Sequence, residues 1–268
     1  MAQKTKRDFE LLTSANPHIK AGRAEPLPKG VWRWYDATIM VVGTLIAIFA
    51  SYFAVASFAG PDAPFTLVGV VSGFVQFAVM IMIVGVLALV SGVNLQDMGW
   101  RASHPMWIAI ASAIVVPLLV VRLMALFVVA PFVVPFLPDV PADAPVVEEQ
   151  TEEFFEPSAQ PIVALGLVLL TAGVAPLVEE TLFRGVLHHW LRNHMGLWAA
   201  AWISGLVFGA VHLNFPQFVT ATLLGVVASW LYERSGSLVP AMVLHAINNF
   251  IAVGLEYVFI FIDLQLTV

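Results

Sequence analysis

Cysteine is absent from the 268 residues, which excludes disulfides, thiolate metal sites and a cysteine nucleophile. Charge is scarce as well: Asp, Glu, Lys and Arg make up 11% of the chain, about half the share usual in a soluble domain. So little charge excludes a disordered segment, a nucleic-acid binder that works through a basic surface and an ordinary cytosolic enzyme. The net charge of −6 reports where loops carry charge and names no partner. What remains is apolar. Hydrophobic residues are 60% of the chain and the mean hydropathy is +0.89, as expected of a multi-pass membrane protein.

A helical span needs about 20 apolar residues. Such runs are expected over Ala37 to Ala59, Phe65 to Val93 and Met106 to Ala130, then Ile162 to about Asn193, Met195 to Leu213, Phe215 to Tyr232 and Leu238 to Ile262. The expected fold is therefore all-α, a polytopic transmembrane helix bundle of seven spans, or eight if Pro131 to Pro138 dips into the bilayer. Four regions follow: a basic tail over 1–33, N-terminal transmembrane helices over 34–130, an acidic loop over 131–161 and a second helical group over 162–268. The loop holds seven acidic residues from Asp139 to Glu156 and no Lys or Arg, too charged to cross lipid. Seven of the twelve Lys and Arg lie in the first 33 residues, a segment with no apolar core of a signal peptide. Basic residues mark cytoplasmic loops, so the N-terminus is expected in the cytoplasm and the acidic loop outside. Counting spans then brings Arg101, Arg192 and Arg234 to the cytoplasmic side as well.

Ionisable residues inside apolar spans are costly and are functional candidates by default. Three groups stand out. In Glu179-Glu180-Thr181-Leu182-Phe183-Arg184, Glu180 and Arg184 form an i,i+4 pair on one helix face and Glu179 points about 100° away. His212 closes Phe208-Gly209-Ala210-Val211-His212, and Asn249 follows His245 by one turn in His245-Ala246-Ile247-Asn248-Asn249. Taken singly each has a bland explanation: a salt bridge at a helix end, a histidine bonded to a backbone carbonyl, an asparagine joining two helices. Depth argues otherwise. At 1.5 Å per residue, Glu179 lies about 20 Å inside Arg192, His212 about 24 Å from Gly196, and His245 and Asn249 about 12 and 18 Å from Ser237. In an apolar core about 30 Å thick, tilt brings the three groups to one layer.

Glu-Glu-x-x-x-Arg, Phe-x-x-x-His and His-x-x-x-Asn in this order resemble the CPBP family of intramembrane proteases, which includes the CAAX prenyl endopeptidases and bacteriocin-processing proteins. The resemblance covers about Gln160 to Ile262; the tail, the acidic loop and the first two spans carry no motif of it. Peptide hydrolysis needs a base to activate water, an oxyanion stabiliser and a proton donor for the leaving amine. The residues alone offer Glu179 or Glu180 as base, His212 beside the water, and His245 with Asn249 as oxyanion donors. The resemblance implies Glu179 as the activating carboxylate, with Glu180 and Arg184 a supporting pair. A metal-free arrangement with no cofactor is the preferred reading of these residues, although members of that family are often labelled metalloproteases. The alternative is a zinc ion on Glu179, His212 and His245, two histidines and a carboxylate; against it, there is no His-Glu-x-x-His pair and Asn249 is left without a task.

Other outliers have simpler roles. His188, His189 and His194 beside Trp190 suit the anchoring of a helix at the interface. Arg122, deep in the third span, is expected to snorkel or to pair with the acidic loop. The expected partners are membrane lipid and a membrane-associated or lipidated protein substrate, with a membrane-protein complex as a further option and no nucleic acid. The expected setting is a bacterial plasma membrane. Two other classes compete with a protease. One is a noncatalytic scaffold, assembly factor or immunity protein, which has no physical need of all four residues Glu179, His212, His245 and Asn249. The other is a proton-coupled transporter, which is disfavoured because no internal repeat is evident.

Overall fold

The computed structural model describes residues 32–60, 63, 65–124, 128, 161–212 and 215–266. Apart from Trp32, Arg33 and Pro161, the expected basic tail and acidic loop lie outside these residues, as does the proposed dip at Pro131 to Pro138. Among the described residues the regular structure is helical, in seven helices. They are α1 (Trp34–Ala59), α2 (Phe65–Ser91), α3 (Pro105–Met124), α4 (residues 161–192), α5 (Leu197–Ala210), α6 (Phe215–Ser235) and α7 (Val239–Leu266).

Each helix falls on one of the seven apolar runs, but they differ in capacity to cross a bilayer. Four are long and apolar enough: Trp34–Ala59, Leu67–Ser91, Pro105–Met124 and Ile162–Arg192. Leu197–Ala210 is apolar but shorter, and the apolar stretch Val239–Leu255 is the first part of α7. At 1.5 Å per residue, α5 is about 21 Å long, less than the hydrocarbon thickness of about 30 Å. The outward faces of α1 and α2 carry exposed Phe49, Phe53, Phe58, Met82 and Leu89. Such a face is costly in water and unremarkable in lipid.

Local chemistry fixes the ends. Asp36, three residues after the N-cap Arg33, accepts the Arg33 backbone N–H at 2.9 Å, satisfying a donor that the first helical turn leaves over. The same carboxylate accepts from the Ser91 hydroxyl at 3.2 Å, which ties the start of α1 to the end of α2. Helices α5 and α6 pack through small residues. A Cβ on Gly205 would lie 2.7 Å from the Thr222 carbonyl oxygen, and one on Gly209 2.6 Å from that of Phe218. The Gly-x-x-x-Gly stripe thus lets two backbones approach as in membrane helix pairs.

Helix α4 is not uniform. It runs as α-helix over Pro161–Val168, widens to π-helix over Leu169–Val174, returns to α over Ala175–Leu182, widens again over Phe183–His188 and ends as α over His189–Arg192. Each π segment adds a residue to the turn and re-aims the side chains beyond it, a distortion frequent at functional sites. The acidic pair sits on the short α stretch between the two.

The N-terminal helices brace this element. The Trp32 indole N–H donates to the Gly185 carbonyl at 2.7 Å, inside the second π segment. The Trp100 indole N–H donates to the Thr181 hydroxyl at 3.1 Å. The turn carrying Trp100 is itself clamped: Leu238 N–H donates to the Gly99 carbonyl at 2.8 Å and the buried Tyr232 hydroxyl to that of Met98 at 2.9 Å. Gly99 has φ +99°, and a Cβ there would meet the Tyr232 ring at 2.5 Å, so conformation and space both demand glycine.

Candidate active site

The deepest polar group is the pair Glu180 and Arg184. Both side chains are fully buried, with Arg184 Nη1 donating to Glu180 Oε1 at 3.1 Å. The i,i+4 relation read from sequence therefore holds, although the second π segment begins between the two residues. The pair is joined from α7 by His245, whose Nδ1–H donates to the same Glu180 oxygen at 2.9 Å. Its other nitrogen, Nε2, stands 3.8 Å from Glu179 Oε2. Glu179 keeps its side chain 15% exposed while Glu180 has none. One carboxylate is thus committed to the interior and its neighbour is partly exposed, as the 100° separation on a helix predicts.

The guanidinium is incompletely satisfied by hydrogen bonds. Among the described residues Arg184 Nε and Nη2 and Glu180 Oε2 are buried without a hydrogen-bond partner. Compensation comes from the Phe208 ring, whose face lies 4.7 Å from Arg184 Cζ, within reach of a cation–π attraction. Phe208 is the hub of the site: its ring makes edge contacts with His245 at 5.5 Å, His212 at 5.0 Å and Phe183 at 4.9 Å between centroids. Gly225 leaves room for the guanidinium, since a Cβ there would come 3.0 Å from Arg184 Nη2.

His212 donates from Nδ1 to the Phe208 carbonyl at 2.8 Å, the bond expected of a histidine closing a helix. That bond fixes the tautomer and leaves Nε2 as the acceptor nitrogen of the neutral ring. Asn249 donates one amide hydrogen to the Thr171 carbonyl at 2.9 Å and accepts from Asn248 at 3.2 Å. Thr171 lies in the first π segment, where the change of register alters which carbonyls the helix itself satisfies.

The structure thus brings Glu179, Glu180, Arg184 and His245 into one contact network. His212, His245 and Asn249 line one cavity of about 60 Å³, together with Phe208, Asn248 and Arg122, room for a few waters. The alternative zinc set is not assembled: among the described residues no three His, Asp or Glu side chains are grouped to hold a metal. Arg122, expected to snorkel or to pair with the acidic loop, also lines this cavity; the loop lies outside the described residues.

The flanking histidines have their own chemistry. His188 Nε2–H donates to Glu233 at 3.2 Å and Arg192 Nε to the same oxygen at 2.7 Å, so they belong to a second polar cluster that joins α4 to α6. His194 bonds the Trp190 carbonyl at 3.0 Å. The sequence reading missed Glu233 as their partner, and it missed Trp32, Trp100 and Thr171; only Glu233, an acid at the end of an apolar run, carried any signal.

A membrane-type helical bundle with a buried Glu–Arg–His network beside a polar cavity defines the class of protein. Comparison with known proteins gives a match over part of the chain. Residues 161–251 match the model of the family described as Type II CAAX prenyl endopeptidase Rce1-like. The chain is similar to an Escherichia coli protein described as "Uncharacterized 24.3 kDa protein", 38% identical over 85 residues, 30% of this chain and 39% of the relative. It is also similar to a Bacillus subtilis (strain 168) protein named "Putative membrane peptidase YdiL", 27% identical over 88 residues, 32% of this chain and 36% of the relative. The chain spans less than two fifths of the length of either relative. No solved structure matches it.

Proposed function

We propose that the protein is an intramembrane endopeptidase that hydrolyses a peptide bond of a membrane-associated or lipidated protein by a glutamate-activated water. The observation that carries this reading is the juxtaposition of the open carboxylate of Glu179 with His245 Nε2 at 3.8 Å, at a ring whose other nitrogen is held by buried Glu180. The Rce1-like match over 161–251 supports a peptidase, and a site inside the bilayer suits a substrate that lies along it.

In this reading Glu179 takes a proton from water, and the resulting hydroxide oxygen bonds to the scissile carbonyl carbon. The carbonyl π electrons move to oxygen, and His245 and Asn249 hold that oxyanion by hydrogen bonds. Asn249 has a second amide hydrogen beyond the one given to Thr171. His245, with its Nδ1–H committed to Glu180, donates to the oxyanion when Nε2 also carries a proton. Collapse of the intermediate breaks the C–N bond, and the proton on Glu179 passes to the departing amine. His212 positions the water, and Glu180 with Arg184 orients His245. This route needs no metal step.

The same reading assigns residues 1–33 to a cytoplasmic tail, 34–130 to supporting helices, 131–161 to an extracytoplasmic loop and 162–268 to the catalytic helices. All seven helices then belong to the membrane bundle. A bacterial plasma membrane fits the two bacterial relatives.

The test compares membrane-protein termini in cells carrying wild type or Glu179→Ala at matched abundance. A terminus produced only by wild type is expected; loss of the carboxylate should slow cleavage at least about 100-fold, the scale of general base catalysis. Identical termini with an intact cellular phenotype in the variant would refute the protease and favour a noncatalytic scaffold.

A further inference from the structure

Asn249 is held at both ends of its carboxamide. Its Oδ1 accepts from Asn248 at 3.2 Å, and its amino group donates to the Thr171 carbonyl at 2.9 Å. A carbonyl oxygen only accepts, so the second bond also decides which way the amide faces. The Thr171 carbonyl is left for α7 by the chain itself. In an α-helix it would accept from the N–H of residue 175, and in a π-helix from that of residue 176. The Ala175 N–H is given instead to the Leu170 carbonyl, in π register. Residue 176 is proline and has no N–H to give. Both intrahelical donors are thus removed, one by register and one by composition. Inside a membrane bundle a carbonyl so released has to find its donor on a neighbouring element, and Asn249 supplies it.

We infer that Pro176 is a positioning residue of the active site: by withholding an N–H it reserves the Thr171 carbonyl for Asn249, and so aims the amide that holds the oxyanion. The catalytic consequence rests on the protease reading above; the anchor itself is a matter of packing. Pro176 is buried in Ala175–Leu182, so the stretch that carries Glu179 and Glu180 also sets the opposing donor on α7. An N–H at residue 176 would meet the Thr171 carbonyl in π register, and a return to α register would bring the Ala175 N–H to it. Either way the helix reclaims the oxygen. A carbonyl oxygen accepts two hydrogen bonds, so reclaiming it weakens and re-aims the Asn249 bond rather than abolishing it. Stabilisation of the oxyanion then falls while substrate binding is kept.

The experiment uses the full chain in detergent micelles, with a synthetic peptide spanning the site revealed by the terminus comparison as probe. Pro176→Ala should lower kcat about tenfold with KM little changed, short of the loss of about 100-fold or more for Asn249→Ala. Its thermal midpoint should stay level or rise, since a helix-interior proline gives way to the strongest helix former. A residue of purely structural use would lose activity together with stability. In the Asn249→Ala background the same change should cost no further activity. The ester analogue of alanine at position 176, which lacks both the ring and the N–H, should return kcat towards the wild-type value, as alanine does not. The anchor is read separately, from the melting of the four proteins of this cycle. Asn249→Ala strands the Thr171 carbonyl, so it should lower the midpoint more in wild type than beside Pro176→Ala, where the helix satisfies that oxygen. Additive midpoints, or Pro176→Ala with wild-type kcat, would overturn the role of Pro176 and leave the protease standing. Coupled midpoints without any Glu179-dependent cleavage would refute the protease, and with it the positioning role, while the anchor remained.

Discussion

Glu180 and Arg184 carry opposite charges with no exposed surface, and they respond to substitution as a unit. Removing one partner strands the other in the interior, a loss of about 3–5 kcal/mol. Arg184→Met should therefore lower the thermal midpoint in detergent sharply, and the double change Glu180→Gln with Arg184→Met should recover part of the loss. Independent, additive effects in the double-mutant cycle would show that the pair does not act as one. At this scale the sequence was readily legible. An i,i+4 acid and base in an apolar run announces itself, and ordered His and Asn motifs point to the same layer. What could not be read is the division of labour around His245, which binds Glu180 through one nitrogen and approaches Glu179 with the other. That depends on how far α4 is rotated towards α7, and no spacing within either helix encodes it.

The element that escaped the sequence reading is the twice-widened α4. Leu169–Val174 and Phe183–His188 look like ordinary helix formers with a glycine in each, and π register arises from packing against neighbours rather than from propensity. The short length of α5 was equally hidden, because hydropathy locates an apolar run but not where its backbone turns. The stripe Gly205 and Gly209, by contrast, is plain in the sequence and its consequence is steric. Gly209→Val should drive α5 from α6, since even a Cβ would sit 2.3 Å from the Thr222 hydroxyl oxygen. The expected result is a fall in folded yield and loss of cleavage. Gly85→Ala, where a Cβ meets nothing within 4 Å, should leave both intact. A Gly209→Val protein of wild-type thermal stability would contradict the close packing.

Across the whole molecule, the family match ends where the mechanics do not. Trp32 and Trp100 reach from outside residues 161–251 to Gly185 and Thr181, one just beyond the Glu180–Arg184 span and one within it. The turn at Met98 and Gly99 locks onto Tyr232 and Leu238. Residues 161–268 produced alone should therefore be degraded by added protease faster than the full chain and lack cleavage activity, and co-production with a fragment ending at residue 124 should restore both. A stable, active fragment would show that the brace is dispensable.

The two indole bonds also bear on inheritance. A domain copied by recombination between relatives would arrive with its acids, histidines and asparagine but without the tryptophans that hold its helix in register. Exchange would then succeed only between hosts that already offer donors at those two points. Descent within the matched segment should thus be tied to descent of Trp32 and Trp100, residues that no motif within that segment records.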